Sequence, residues 1–482
     1  MSRKKKPLYQ QLYEQLRSSI LQGQFSSGDR LPSKRQLAQN LGLSQNTVNT
    51  AYQQLVDEGY IESRERSGFF VLTLALPKLK EKRKAEIEQL SEETPAPNNP
   101  IIDFSSRNAD PELFPYDLFR RISSEIWRDR PPELLSSPPA QGHAVLRREI
   151  AIYLARNRGL SVSPEQIVVQ ANSVDLLALI VRLLPNHCVG LENPGFPAFY
   201  YYLHERKLPY KLLPLGSQGI EPDKIKIQGA QIISVSPTHQ FPSGSIMPVG
   251  QRIKLLRYAS AAPDRWLMED DYDSEFRYEG LTVPSLKSLD RDDKVIYLGN
   301  FSKAICPGIR VSYLVLPRIL LEKYQKLEAS FRCPVSGFTQ ILLARFLEGG
   351  QYERHLNRLR KRYRAKRELM LSCLDKSNLP LEILGSEAGF QINLRLHLDK
   401  LQIKTKDATK YTENLREKLR KSGIIVPFLS DFLIKDQKMS KSCSKDPVLI
   451  LGFSDLKEEE IQNGIRCLLK IIEGEDCASS PS

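Results

Sequence analysis

The sequence is poor in the residue types that build metal centres and disulfide frameworks. Its 482 residues include six histidines and seven cysteines, and no two cysteines form a C-x-x-C pair. Such scattered cysteines argue against a zinc site and against a disulfide scaffold. We therefore expect reduced thiols and no bound metal.

Long apolar runs are also missing. No stretch is apolar over the length that a bilayer requires. The basic segment of residues 1–7 is not followed by the apolar core of a signal peptide. These absences predict a soluble protein that stays in the cytoplasm.

Positive charge is in excess. The chain has 70 Lys and Arg against 57 Asp and Glu, a net charge of +13, which suits an anionic partner such as nucleic acid. Hydrophobic residues make up 41%, enough to fill cores, and the length predicts two or more domains. Residues 74–100 change from mixed charge to Glu, Pro and Asn, as in a linker. This division predicts one domain over 1–73, a second over 101–475, and a tail over 476–482.

The first domain has the pattern of a winged helix-turn-helix. Apolar residues four apart predict a first helix, namely Leu8, Leu12, Leu16 and Ile20. Ser33 with Gln36 three positions later forms a capping box for a second helix, which carries Leu37 and Leu41 and stops at Gly42. Ser44 caps a third helix. Two short β-type runs, residues 60–63 and 68–71, enclose a polar tip and predict the wing.

The third helix is the one expected in the major groove of DNA. Its first residues can meet base edges or phosphates, and they are Ser44, Gln45, Asn46, Thr47 and Asn49. Three arginines are placed to neutralise phosphates, namely Arg35, Arg64 and Arg66. A small helical subdomain with a merely solvated polar face is the alternative. Agreement among the caps, glycine stops and wing favours DNA binding.

Residues 7–71 resemble the winged helix of the GntR family of bacterial transcription regulators. The similar stretches are Pro7-Leu8-Tyr9, GDRLPSKRQLAQNLGLSQNTV and AYQQLVDEGYIESRERSGFFV. The family usually has Arg where this chain has Gln45. The resemblance implies double-stranded operator DNA as a partner, with one DNA contact altered.

The second domain alternates helical and strand patterns, which predicts an α/β fold with a mostly parallel sheet. Four short apolar runs have the character of buried strands, and they span residues 167–169, 232–235, 266–268 and 295–298. Ligands gather at the carboxyl ends of such strands. The run Glu269–Glu275 follows the third strand, and Gly299–Lys303 follows the fourth. Carboxylates there suit a metal, acid–base chemistry or a ligand cation.

Taken together, the residues at these strand ends are those that pyridoxal 5′-phosphate needs. Lys303 can form a Schiff base with the aldehyde, Asp270 can pair with the pyridinium nitrogen, and Tyr272 can donate to the 3′-oxygen. Arg310 and the helix start at Ser173 suit the phosphate, with help from Ser302 and Asn300. Phe196 offers a stacking face. Each residue alone has a simpler structural explanation, and it is the ordered set that indicates the cofactor.

This set resembles the aspartate aminotransferase-like fold, fold type I, over roughly residues 101–475. The order of winged helix, linker and aminotransferase-like domain resembles the MocR subfamily of GntR regulators. The similar stretches are GHAVLRREIAIYLARNRGL, ENPGF, SPTHQFPSG, EDDYDSEFRY and YLGNFSKAICPGIRVSYLVLP.

The resemblance implies a homodimeric transcription regulator that senses pyridoxal phosphate, or an amine or amino acid effector, through an aldimine on Lys303. The alternative is a catalytically active aminotransferase that carries a DNA-binding domain.

Several positions depart from the family pattern. Asn172-Ser173-Val174 stands where Gly-x-Gln is common, and Asn300 stands where a hydroxyl residue is usual. Ile450 occupies the place expected for the arginine that holds a substrate carboxylate, with Arg395 or Arg332 as possible replacements. His239 or Gln240 lies near the place of an asparagine beside the 3′-oxygen, and neither is assigned. The basic stretch Arg354–Arg367 is expected to be a solvated helix face.

Overall fold

In the computed structural model, the described residues are 7–65, 67–73, 102–105, 108–216, 219–280, 283–401, 408–434 and 446–475. The chain divides into two compact units, Met1–Asn98 and Asn99–Ser482. The predicted linker, the whole of the predicted tail and Arg66 lie outside the described residues. Within these ranges, no helix combines the length and apolar character needed to cross a bilayer.

The first unit consists of three helices and a β-hairpin. Its elements are α1 (Leu8–Leu21), α2 (Lys34–Leu41), α3 (Gln45–Asp57), β1 (Ile61–Arg64) and β2 (Gly68–Val71). The strands pair antiparallel, with Ile61 opposite Val71. This is the predicted winged helix-turn-helix.

The helix boundaries of the first unit follow from the predicted caps. Ser33 Oγ accepts a hydrogen bond from the Gln36 amide at 3.2 Å, and Ser44 Oγ accepts from the Thr47 amide at 3.2 Å. Gly42 ends α2 with φ of 63°, a left-handed conformation that glycine adopts without strain. Side-chain acceptors therefore satisfy amides that the first helical turn leaves unpaired.

The core of the first unit lies between α1, α3 and the hairpin. Val48, Tyr52 and Leu55 are fully buried on one face of α3. Two predicted core positions are wrong, because Leu8 is 58% exposed and Leu41 is 45% exposed. Both stand at a helix terminus, where few neighbours surround the side chain.

The second unit is built from helices on both faces of a large sheet. Its α-helices are α4 (Tyr116–Asp129), α5 (Ala144–Arg158), α6 (Ser173–Leu183), α7 (Pro197–Glu205), α8 (Pro222–Gln228), α9 (Val249–Ser260), α10 (Leu286–Leu289), α11 (Arg318–Leu327), α12 (Gly337–Leu347), α13 (Gln351–Asp375), α14 (Ala408–Lys421) and α15 (Glu458–Glu473). Short 3-10 helices include Pro307–Ile309 and Leu429–Phe432.

The strands form one large sheet and two small ones. They are β3 (Ile102–Asp103), β4 (Ile167–Gln170), β5 (Val189–Asn193), β6 (Tyr210–Gly216), β7 (Gly219–Ile220), β8 (Ile232–Val235), β9 (Trp266–Asp271), β10 (Val295–Asn300), β11 (Ser312–Val315), β12 (Leu381–Leu384), β13 (Gln391–Leu396), β14 (Ile424–Ile425) and β15 (Val448–Gly452). The eight-stranded sheet has the order β4-β11-β10-β9-β8-β5-β6-β7, and β12-β13-β15 and β14-β3 form the others.

The large sheet is mostly parallel, as predicted. The central strands β10, β9, β8, β5 and β6 are parallel, whereas β11 is antiparallel to both of its neighbours. Side chains alternate between two hydrophobic clusters, with Ile167 and Val169 in one and Val168 in the other. Both faces are covered, so the central strands are mostly apolar, and the polar residues of β9 stand at its carboxyl end.

Two expectations outside the sheet need correction. Cys188, Cys306, Cys333 and Cys373 are free, but Cys467 is disulfide-bonded, so reduced thiols are not found throughout. Cysteine pairing depends on distance in the fold, which sequence spacing does not give.

The basic stretch on α13 is only partly solvated. Arg360 and Arg364 donate to the Glu275 and Tyr278 carbonyls, and Lys366 pairs with Asp110 at 2.7 Å. These contacts join α13 to the segment after β9 and to Asp110, so several of its cations bind protein groups rather than water.

The winged helix offers a direct test of its core. Leu55→Ala is expected to lower the free energy of unfolding of this unit by about 2–5 kcal/mol, because a cavity forms at a fully buried site. The measurement is calorimetry of the full-length protein. Leu41→Ala, the same change at an exposed position, is the matched control and should cost less than about 1 kcal/mol. Equal losses at the two positions would contradict the described packing.

Candidate cofactor and DNA sites

The candidate cofactor site lies at the carboxyl end of two neighbouring parallel strands. Asp270 is the penultimate residue of β9, opposite Leu298 of β10, and Lys303 follows three residues after β10 ends. Gly299 is required here, because a Cβ atom would lie 2.4 Å from the Tyr313 ring. The parallel pairing thus brings Asp270 and Lys303 to the same edge of the sheet.

The run Glu269–Asp271 contains three carboxylates, and the protein compensates two of them. Glu269 accepts hydrogen bonds from the Leu286 and Lys287 amides at 2.7 and 2.9 Å, at the start of α10. Asp271 forms a buried ion pair with Arg158 at 2.8 Å and accepts from the Tyr297 hydroxyl at 2.5 Å. No group of three or more His, Cys, Asp or Glu suited to a metal occurs in the described part of the chain.

Asp270 is the carboxylate left without such compensation. Burial, with the nearby charges of Asp271 and Asp273, raises the pKa of Asp270 to about 7. Asp270 lines a small cavity with Leu191, Glu192, Phe196, Phe199, Ser234, Ser236 and Ile434. A buried carboxylate with a raised pKa is suited to pairing with a ligand cation.

Lys303 is held in an apolar environment. Burial lowers the pKa of its amine, and the charges of Asp273 and Asp455 oppose that change. Its Nζ lies 5.5 Å from the centroid of the Phe390 ring. A desolvated lysine has a larger share of the neutral amine, which is the form that attacks an aldehyde.

Tyr272 follows directly after β9, whereas Phe196 lines the small cavity from the start of α7. The Tyr272 hydroxyl is 3.1 Å from Nδ1 of His239. Phe196 stands at the start of α7, 44% exposed, with edge contacts to Phe199 and Phe241 at centroid distances of 5.2 and 6.5 Å. Its ring therefore lines the same cavity as Asp270.

Two of the residues predicted for the phosphate, Ser173 and Arg310, lie at or near the start of α6. Arg310 ends the short helix Pro307–Ile309 with φ of 50°. Burial raises the pKa of Asp175 in the first turn of α6, and the charge of Arg310 opposes that rise, so the two side chains are neighbours. Ser173 is the first residue of α6. Ser302 is half-buried, and Asn300 Oδ1 is buried without a hydrogen-bond partner in the structure.

Three residues at this site were not predicted. Asn172 caps α6 by accepting from the Val174 and Asp175 amides at 2.9 and 3.0 Å, so two amides offered to a phosphate are already bonded. Arg158 forms the buried ion pair with Asp271. Glu192 has a buried Oε1 atom without a hydrogen-bond partner in the structure. Asn172 follows from its position before a helix, whereas nothing local in the sequence marks Arg158 or Glu192.

The donor set fits pyridoxal phosphate. It combines a desolvated amine on Lys303, a buried carboxylate on Asp270 that lacks a cation, and an unpaired amide oxygen on Asn300. When bound, this cofactor supplies an electron sink for carbanion chemistry. Here Lys303 would hold its aldehyde, Asp270 its ring nitrogen and Arg310 its phosphate.

The candidate DNA surface lies on the first unit. Gln45, Asn46 and Arg35 are exposed and make no side-chain hydrogen bond within the described residues. The other predicted positions are engaged. Ser44 and Thr47 hydroxyls lie 2.8 Å apart within the cap of α3, and Asn49 Oδ1 accepts from Lys34 at 2.5 Å.

The wing arginines differ in what the structure shows. Arg64 pairs with Glu62 at 2.5 Å and lies 4.5 Å from the Phe70 ring centroid. Arg66 lies outside the described residues. Gln45, Asn46 and Arg35 are therefore the predicted side chains that are most available for DNA.

Comparison with known proteins identifies both domains. Residues 8–71 match the family of bacterial regulatory proteins, gntR family, and residues 115–439 match aminotransferase class I and II. The chain belongs to the MocR-type transcription regulators, in which a GntR winged helix is joined to an aminotransferase-like domain. Pyridoxal phosphate is the cofactor of this fold.

Two relatives that are transcriptional regulators cover most of the chain. The uncharacterized HTH-type transcriptional regulator YdeL of Bacillus subtilis is 35% identical over 96% of each chain. The HTH-type pyridoxine biosynthesis transcriptional regulator PdxR of Corynebacterium glutamicum is 34% identical and covers 76% of this chain and 78% of its own.

Among solved structures, a kynurenine aminotransferase of Pyrococcus horikoshii in complex with PMP has a TM-score of 0.66. Its sequence is 26% identical, and the similarity covers 82% of this chain and 95% of that one.

We expect Asp270 to favour binding of the cofactor and to lower the stability of the cofactor-free protein. Folding raises its pKa from 3.8 to about 7. The free energy of unfolding therefore falls as the pH rises between these two values, because the unfolded chain loses its proton first. Asp270→Asn is expected to raise the melting temperature of cofactor-free protein by about 2 °C or more. The gain should be larger at about pH 8.5 than at about pH 5.5.

The measurement is thermal unfolding at both pH values, together with cofactor retention, which the same change should reduce. Asp117→Asn, at a largely exposed carboxylate, is the control and should change neither quantity. A lower melting temperature for Asp270→Asn at the higher pH would contradict the described burial.

Gln45 should read a base rather than stabilise α3. Gln45→Ala is expected to cost about 1–3 kcal/mol of DNA-binding free energy, because an exposed amide can pair with a base edge. Gln53→Ala, whose side chain donates to Asp57 further along α3, is the matched control and should change binding less than about twofold. The measurement is fluorescence anisotropy with DNA selected from a random-sequence pool. Equal binding by both variants would exclude Gln45 from the readout.

Proposed function

We propose that the protein is a transcription regulator that senses pyridoxal phosphate, or an amine bound to it, through Lys303. The observation that carries this proposal is the buried Lys303 amine at the same sheet edge as Asp270, in a chain that also has a GntR-type winged helix. A role in transcription regulation is supported by the relatives, which are named HTH-type transcriptional regulators. We place the protein in the cytoplasm, with its DNA.

The domain boundaries belong to the same proposal. Residues 1–73 bind operator DNA, residues 74–100 link the domains, residues 101–475 bind the cofactor, and residues 476–482 form a tail. Two subunits associate as a homodimer, so that two winged helices meet the two halves of an operator. A ligand changes DNA affinity only when it binds two arrangements of the dimer with different affinity.

A working aminotransferase is the second candidate, and the similarity to a kynurenine aminotransferase favours it. That reaction needs a cation for the substrate carboxylate. Ile450, at the expected position, is an apolar residue buried in β15. Arg395 pairs with Glu382 at 2.7 Å, and Arg332 donates to the Ala329 and Phe331 carbonyls at 2.9 and 2.7 Å. The arginines considered as replacements are thus already bonded, which favours sensing over turnover.

Lys303→Ala separates the two roles of the chain. It should remove the visible absorbance of bound cofactor and any response of DNA affinity to cofactor or amines, while DNA binding itself persists. The measurements are an absorbance spectrum and anisotropy titrations with and without cofactor. Lys326→Ala, at an exposed lysine of α11, is the control. An unchanged DNA response in Lys303→Ala would refute sensing through this lysine.

Transamination has its own signature in the same experiment. A panel of amino acids and amines is added, and the spectrum is followed with and without a keto acid. A change of the cofactor band that a keto acid reverses would make the protein an enzyme as well. A change that persists without turnover supports the sensor and names its effector.

A further inference from the structure

The excess positive charge of the chain lies mostly in its second domain. Residues 101–482 contain 55 Lys and Arg against 46 Asp and Glu, whereas residues 1–73 contain 10 against 6. Helix α13 alone contains eight Lys and Arg against three Asp and Glu. This one helix therefore carries a larger positive excess than the whole winged helix domain.

Half of the cations of α13 hold the helix against the rest of its domain. Each of them donates to a carbonyl or a carboxylate of another segment, and they are Arg360, Arg364, Lys366 and Arg367. Lys366 and Arg367 are also buried. Contacts within the protein therefore account for these four cations.

The other four cations of α13 are exposed, and they are Arg354, Arg358, Lys361 and Arg362. Arg354 donates to the Gly349 carbonyl at 3.0 Å, and the other three form no ion pair or side-chain hydrogen bond with any described residue. Steps of three or four residues place the four side chains on one face of the helix. No carboxylate of α13 stands three or four residues from any of them, so none is neutralised along the helix.

This cationic face of α13, defined by Arg354, Arg358, Lys361 and Arg362, has the character of a phosphate-binding surface. With a rise of about 1.5 Å per residue, Arg354 and Arg362 lie about 12 Å apart along the helix axis. Duplex DNA carries one negative charge per about 1.7 Å of its axis, so several phosphates fit within that length. Three of the four cations are arginines, whose planar guanidinium groups match the oxygens of a phosphate.

We propose that this cationic face is a second DNA contact of the protein. It binds the phosphate backbone of the duplex beside the sequence that the winged helix reads. Because such contacts do not touch base edges, they add affinity without adding sequence specificity. The inference rests on the DNA-binding function proposed above, since DNA is the polyanion that the first domain already brings to the protein.

The test compares two duplexes with full-length protein. One is the shortest duplex that retains sequence-specific binding, taken from DNA selected from a random-sequence pool, and the other is the same DNA lengthened on both sides with unrelated sequence. Fluorescence anisotropy gives the affinity over a range of salt concentrations.

The triple change Arg358→Gln, Lys361→Gln and Arg362→Gln should make the plot of log affinity against log salt less steep on the long duplex. The expected reduction in slope is about 2 to 3 for each bound face, because each lost phosphate contact accounts for about 0.9. On the short duplex the slope should not change.

The matched control removes the same charge elsewhere. Lys418→Gln, Arg420→Gln and Lys421→Gln, at exposed cations in the last turn of α14, should leave both slopes unchanged. An equal loss in this α14 variant would overturn the inference, because the effect would then be one of net charge.

Equal slopes for the unmodified protein and the α13 variant would also overturn the inference, and an acidic protein would then be the better partner for this face. If the triple variant does not fold, Arg358→Gln alone decides between the same outcomes, with an expected reduction in slope of about 0.9. Failure of the unmodified protein to bind either duplex would instead refute the proposed DNA-binding function.

Discussion

The structure of the site depends on one electrostatic constraint at the end of β9. Three consecutive carboxylates are carried into a low-dielectric region, where each needs a partner to remain charged. Backbone amides at the start of α10 compensate Glu269, and Arg158 with Tyr297 compensates Asp271. Within the described residues Asp270 has no such partner, and burial with the nearby carboxylates raises its pKa to about 7, the value that Glu269 also reaches. A buried carboxylate of this kind is suited to pairing with a ligand cation.

The same edge of the sheet changes the environment of Lys303 in the folded chain. Its amine loses solvent because β10 is buried on both faces, and the carboxylates near it preserve part of its basicity. The two effects on the pKa of Lys303 oppose each other, and burial is the larger of them.

A regulator that binds this cofactor and an aminotransferase both need these features. Only the aminotransferase also needs a group that holds the carboxylate of its substrate. Catalysis by transamination needs an amino acid to be held at both its amino and its acid groups. The strand that supplies this anchor in aminotransferases carries Ile450 here, packed into the core of the small sheet. Binding energy that would orient a substrate is then missing. The remaining chemistry suits recognition of a ligand more than its conversion.

The sequence by itself determined the two-domain organisation, the winged helix, the mostly parallel sheet and the family. Caps, glycine stops and apolar periodicity are local signals, and they survive in the fold because each acts within a few residues. Local pattern failed at Leu8 and Leu41, which sit at helix ends beyond the reach of the core.

Only the tertiary structure decided which polar side chains bond to other groups of the protein and which remain available to ligands. Arg158 reaches Asp271 across more than a hundred residues, and Gly389 admits His239 from a different loop. Asn172, Ser44 and Thr47 are used as caps, whereas Gln45 and Asp270 are left available. Partnership of this kind depends on distances between segments far apart in the chain, which no local pattern encodes.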